Sequence, residues 1–252
     1  MATDSIYSQS FHLFSGFVKK LGSDFAPLQD EMRKAYITVP VEQWVAFAFL
    51  VSALTAPVAI VISIMFATIS LGTTLSAVLI GFIAGAGITA AAFVITYKYP
   101  FFIAGERKKK IENALSFSTI YMSTIAKSGF PPQEIFRLLG GFKEYGEVSR
   151  EARKIASDVN ALGLDVPEAI TSAIARSPSA DWTELLAGLK TTITVGGDLG
   201  NFLAEKAKGF VADYRRRLRD FSNMLSLLVE IYITLVVVGA IFFIVTTSVM
   251  VA

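Results

Sequence analysis

Cysteine is absent from the 252 residues, and histidine occurs once, at His12. The first absence excludes disulfides, thiolate zinc sites and iron–sulfur clusters, and the second leaves too few imidazoles for a histidine metal site. Charge is scarce: 17% of residues are charged, 53% are hydrophobic, and the mean hydropathy is +0.56. That is too apolar for an ordinary soluble domain and places the chain in a membrane. The N-terminal stretch MATDSIYSQSFHLFSGFVKKLGSDF lacks the basic, apolar and cleavage regions of a removed signal peptide. No Asn-x-Ser/Thr sequon, P-loop GxxxxGK[ST], strand-borne GxGxxG or Ser-His or Cys-His pair occurs, so no enzyme, cofactor or metal is expected. Glycine and proline are also missing from residues 210–238, whose VADYRRRLRDFSNMLSLLVEIYITLVVV carries a basic cluster straight into an apolar run. Nothing there interrupts a helix.

Three stretches, 44–70, 75–97 and 225–249, are long enough for a hydrocarbon core that takes about 20 helical residues to cross. The LGTT between the first two makes them a hairpin. Of the 23 Lys and Arg, Lys19, Lys20, Arg33 and Lys34 precede the first span, none lies in LGTT, and the remainder fall between Lys98 and Arg219. Retention of basic residues on the cytoplasmic side puts residues 1–43 and 98–224 inside and the C-terminus outside. Pro57 should kink the first span. In the second span, Ala77, Gly81, Gly85 and Thr89 recur at steps of four, a stripe that packs a helix or specifies a dimer. Glu230 is the only acid in any span. It reaches the headgroup level or stays protonated among helices, or else makes an interhelical or partner contact.

Between the spans the pattern is helical throughout, with expected helices at 107–128, 132–141, 144–162, 166–176, 178–195 and 198 onward, the last running unbroken into the third span. The fold class is therefore all-α: three transmembrane helices and a cytoplasmic six-helix bundle, organised as 1–43, 44–97 (hairpin), 98–224 (body) and 225–252. Gly129, Gly163 and Gly197 suit helix C-terminal caps, Asp165 to Glu168 has capping-box form, and Pro132 and Pro178 suit first turns. The 34-residue spacing of those glycines lacks the aromatic and alanine pattern of a tetratricopeptide repeat, and VGGDLGN reads as a cap followed by a helix start. Ala207, Val211, Tyr214, Leu218, Phe221, Leu225 and Leu228 form a heptad-like seam that packs on the chain's own bundle or on a coiled-coil partner. Asp213 with Arg217, and Arg216 with Asp220, have ion-pair spacing. The junction clusters Arg107, Lys108, Lys109, Lys110 and Arg215, Arg216, Arg217, Arg219 suit anionic lipid.

Three runs then stand out: ENALSFSTIYMSTIAKSGFPPQEIF, YGEVSREARKIASDVNALGLDVPEAITSAIARSPS and GLKTTITVGGDLGNFLAEKAKGFVADYRR. They resemble the F-type cytoplasmic domain of type II secretion and type IV pilus platform proteins, most of all the archaeal versions of the archaellum and archaeal pili. The resemblance covers roughly residues 25–250. It implies a non-enzymatic platform in the cell membrane, a hexameric secretion-type ATPase beneath it, pilin-like filament subunits beside it, and no nucleic-acid partner. Archaeal platform proteins usually carry two such repeats, so a homodimer or a second repeat half is implied as well. On geometry, Arg150, Arg153 and Lys154 face the ATPase, and the junction clusters anchor in lipid. A membrane signalling protein using the continuous helix 198–249 is the alternative, with only LGTT outside to sense anything.

Overall fold

The computed structural model describes residues 26–72 and 74–251; His12, Lys19 and Lys20 lie outside them. Among the described residues there is no strand. Helices α1 (Ala26–Lys34), α2 (Val41–Leu71), α3 (Leu75–Lys127) and α4 (Pro132–Gly141) lead to a 3-10 turn at Lys143–Tyr145. Helices α5 (Glu147–Leu162), α6 (Val166–Arg176), α7 (Ala180–Val195) and α8 (Leu199–Val251) follow. Helices α2, α3 and α8 contain the three stretches long and apolar enough to cross a membrane.

Two compact units divide the chain, one containing residues up to Glu112 together with Glu168–Ala187, the other Asn113–Pro167 and Gly188–Ala252. In the first, Leu28 and Met32 of α1 pack with Val41, Trp44 and Val45 at the start of α2. The α2–α3 hairpin closes on the small-residue stripe. A methyl group on Gly81 would stand 2.5 Å from the Ile64 Cα, and one on Gly85 would stand 2.6 Å from the Ile60 Cα. Ser63 Oγ spans the contact, donating to the Gly81 carbonyl at 2.6 Å. The stripe faces the neighbouring span of the same hairpin, where small residues let helix backbones approach.

The sequence suggests a helix boundary near the YKYP of residues 97–100, but α3 runs through it with Pro100 inside. An interior proline removes one backbone hydrogen bond and tends to break helices in water. In apolar spans neighbouring helices and hydroxyl side chains compensate, and one turn before Pro100 the Thr96 hydroxyl donates back to the Ala92 carbonyl at 2.9 Å.

In the second unit, α4 and α5 lie against each other, burying Ile135, Phe136 and Leu139 of α4 and Val148, Ala152 and Ile155 of α5. Spacings of three and four give α5 its single apolar face. Each of the larger of these side chains contributes about 1.5–3 kcal/mol on burial. Helix α5 starts at Glu147 rather than 144 because Gly146, at φ +55°, turns the chain between the 3-10 segment and the helix. Gly129 and Gly163 take the left-handed conformation expected of caps, but at the end of α7 it falls on Gly196 (φ +75°), not Gly197. The Gly196 N–H reaches the Ile193 carbonyl and the Gly197 N–H the Thr192 carbonyl; this Schellman pattern requires the left-handed residue to be the first of the two. Pro178 lies before α7, whose first N–H groups are met by Ser179 instead, with Trp182 N–H donating to Ser179 Oγ at 3.3 Å. Asp165 accepts from the N–H of Val166 at 2.8 Å, two residues short of the N–H a capping box would use.

Candidate functional site

At the junction of α1 and α3, α1 ends in a Schellman turn with Tyr36 in the left-handed position (φ +57°). That conformation costs an L-residue about 1–2 kcal/mol and is usually left to glycine. Arg107 supplies the compensation. Its guanidinium carbon lies 4.1 Å from the Tyr36 ring centroid, and Nη1 donates to the Lys34 carbonyl, one of the orphan acceptors at the negative end of the α1 dipole. Arg107 is only 5% exposed, so it is held inside the protein and is not presented to headgroups with its neighbours. Lys110 pairs with Glu106 at 2.8 Å and Lys108 lies 3.8 Å from Glu112, while Lys109 is exposed. Trp44 stacks on Tyr99 at 6.0 Å, giving this junction an aromatic belt. No local pattern marks the Arg107 bond, whose acceptor is 73 residues away.

Arg150, Arg153 and Lys154 are exposed on α5, and their spacing places them on one side of that helix. They do different things. Arg150 reaches Glu147 at 3.4 Å, and Lys154 reaches from the surface to the buried Asp158 at 3.2 Å. Arg153 donates to the Gly140 carbonyl from Nε at 3.2 Å and from Nη2 at 2.8 Å, tying α5 to the end of α4. Gly140 is where the two backbones meet, with space for a methyl group only 2.9 Å from the Arg153 Cα. Close by in sequence lies an aromatic trio that sequence reading missed: Tyr121 against Phe142 at 4.7 Å and against Tyr145 at 5.9 Å. Burial, then the neighbouring Tyr145, pushes the Tyr121 hydroxyl above its ordinary range. The FKEY run offered the signal for two of the three.

Helix α8 begins in the body, where Ser116 Oγ donates to the Phe210 carbonyl at 2.9 Å and Phe117 meets Tyr214 edge-on at 5.5 Å. Beyond Tyr214 its side chains are exposed. Arg215, Arg217 and Arg219 stand in the open; Arg216 pairs with Asp213 at 2.8 Å, one turn back, rather than with Asp220. Glu230 is exposed on the apolar half of the helix, on a face shared with Leu227, Ile231, Thr234 and Val238. Among the described residues, no three His, Cys, Asp or Glu side chains converge as metal ligands would.

Comparison with known families gives one match: type II secretion system (T2SS), protein F, over residues 119–247. The chain belongs to this family. The match runs from the last turns of α3 through the whole of α4 to α7 and along α8 almost to its end, so the family's shared unit includes both the helical body and the third span. Proteins of the family are membrane platforms rather than enzymes. An uncharacterized protein of Methanocaldococcus jannaschii, MJ1286, is 24% identical over 135 residues, which is 54% of this chain and 23% of that protein. The chain thus spans less than a quarter of that relative's length. No solved structure matches.

Proposed function

We propose that the chain is the membrane platform of an archaellum, type IV pilus or type II secretion-like machine, coupling a hexameric assembly ATPase on the cytoplasmic side to insertion of pilin-like subunits in the membrane. Family membership supports the platform role. The observation that carries the coupling is the continuity of α8 from Leu199 to Val251, about 80 Å of uninterrupted helix at 1.5 Å per residue. A flexible loop at the membrane boundary would dissipate a push or a rotation, whereas a single helix passes it on. The ATPase would touch the body at Arg150, Arg153 and Lys154, and Lys108, Lys109, Lys110, Arg215, Arg217 and Arg219 would hold the body against anionic headgroups at about 1 kcal/mol each.

Inserting Gly-Ser-Gly after Asn223 tests the coupling. The variant should insert and bind the ATPase normally yet assemble few filaments; normal filament numbers would show that the continuity is incidental. Charge reversal at Arg150 and Lys154 should weaken ATPase capture in a salt-dependent way, because exposed charges are screened over about 8–10 Å. Capture unchanged by these reversals but lost on reversal of the junction lysines would place the motor on the opposite side.

A further inference from the structure

Residues 1–25 precede the described part of the chain, and the two attachments of α1 fix where they join it. At one end, the Lys34 carbonyl is held by Arg107, eight residues and so about 12 Å beyond Tyr99 along α3. At the other, the fully buried Leu28 shares a cluster with Trp44 and Val45, against which Phe49 and Tyr97 also pack. Trp44 stacks on Tyr99, an aromatic pair of the kind that settles at a membrane interface. Helix α1 therefore descends toward the bilayer from Lys34 back to Ala26, and all of these residues belong to one compact unit. Pro27, second in α1, disfavours carrying the same helix further back.

The sequence delivered at that surface suits it. Tyr7, Phe11, Phe14, Val18, Leu21 and Phe25 recur at steps of four and three; at about 100° per residue they fall within an arc of about 80°. Ile6, Leu13 and Phe17 widen the stripe on one flank, where Ser10 and Asp24 also fall. Gln9, His12, Ser15, Lys19, Lys20 and Ser23 take the opposite side. With half its circumference polar, such a segment does not enter hydrocarbon as a span. A stripe rich in Phe opposite Lys is the composition of helices that lie in the interface.

We propose that residues 6–25 form an amphipathic helix in the headgroup layer on the α1 side of the membrane, with Phe11, Phe14 and Val18 at the acyl boundary and Lys19 and Lys20 turned to anionic headgroups. Two observations favour lipid over a protein groove as the occupant of the stripe. The segment is tethered through α1 to the bilayer surface, which raises its effective concentration there. The only charges between Ser5 and Ser23 are Lys19 and Lys20, the sign that an anionic leaflet attracts. A helix so placed sets the depth of α1 and, through Arg107, that of the base of α3. The proposal rests on the membrane placement of the spans and not on any motor or filament.

Because the chain has no cysteine, single labels can be placed at will. Phe11→Cys, Phe14→Cys and Val18→Cys on the stripe, and Gln9→Cys, His12→Cys and Ser23→Cys opposite it, are made in the full chain. Each is labelled with an environment-sensitive fluorophore and reconstituted in vesicles of phosphatidylcholine and phosphatidylglycerol. A nitroxide carried on the lipid near its headgroup should quench the stripe positions at least about threefold more than the opposite ones, and aqueous iodide should do the reverse. Adding Lys19→Glu and Lys20→Glu to the Phe14→Cys chain should lower its lipid quenching severalfold in these vesicles. Adding Phe11→Ser and Phe14→Ser to the Val18→Cys chain should raise its iodide quenching severalfold. Equal quenching around the segment, a stripe open to iodide, or no effect of either double substitution overturns the proposal. So does a stripe closed to both quenchers, because protein and not lipid would then cover it.

Discussion

A methyl group on Gly81 would meet the Ile64 backbone nitrogen at 2.9 Å as well as its Cα at 2.5 Å, and backbone cannot swing aside as a side-chain tip can. Gly81→Val should force the hairpin apart and cost about 1–3 kcal/mol, the usual range for overpacking. The thermal midpoint of the detergent-solubilised chain should fall, while Gly87→Val, where nothing lies within 4 Å, should leave it unchanged; equal effects would mean that the two helices are not in contact at Gly81. The basic residues separate by the same logic. Arg107→Ala removes both the ring contact and the bond to the Lys34 carbonyl and should destabilise by about 2–3 kcal/mol. Lys109→Ala should stay within about 0.5 kcal/mol. In α5, Arg153→Ala strips the two bonds to Gly140 and should cost about 1.5–3 kcal/mol, whereas Arg150→Ala removes an exposed guanidinium from its pair with Glu147 and should cost under about 1 kcal/mol. Matching losses at Arg150 and Arg153 would contradict the brace between α4 and α5.

Helix ends show how one residue decides an element. Gly196 and Gly197 are indistinguishable by composition, yet the left-handed backbone sits on the first. Gly196→Ala should therefore lower the thermal midpoint by the equivalent of about 1–2 kcal/mol. Gly197→Ala should cost less, since its added methyl would meet the Thr192 Cγ2, a side-chain tip, at 3.1 Å and backbone no nearer than 3.6 Å. The reverse ranking would place the cap one residue later. A larger lesson of the same kind lies in α3. The sequence rule that proline ends helices comes from chains surrounded by water, and Pro100 sits where an apolar span gives way to the body. The helix passes through because its surroundings differ from those in which the rule was learned.

At the scale of the chain, three apolar helices, the order of the body helices and the continuity of α8 were legible because each is written as a period or a run that local sequence carries. What stayed hidden joins residues far apart: the capture of the Lys34 carbonyl by Arg107, the approach of Gly140 to Arg153, the aromatic trio around Tyr121. Exposure was legible only on average. The seam was visible as a pattern, but that the body covers it to Tyr214 and no further depends on where Phe117 and Ser116 stand, and those are nearly a hundred residues away, with 94 separating Ser116 from Phe210. The asymmetric placement of Lys and Arg predicts that, in right-side-out vesicles, protease added outside spares a site engineered next to Lys143 and removes a tag at the C-terminus. Cleavage beside Lys143 would invert the topology.

The bond from Ser116 to Phe210 fixes one end of α8, and each residue added beyond it turns everything downstream by about 100°. The number of residues between 210 and the third span is therefore an angle. Two extra alanines after Asn223 would rotate the spanning half by about 200° and present Glu230 where Tyr232 had been, with composition and hydropathy almost unchanged, whereas seven would return it to within about 20°. The chain thus stores a rotational phase in a residue count, and insertions of equal chemistry should be tolerated or rejected according to their length modulo the helical turn.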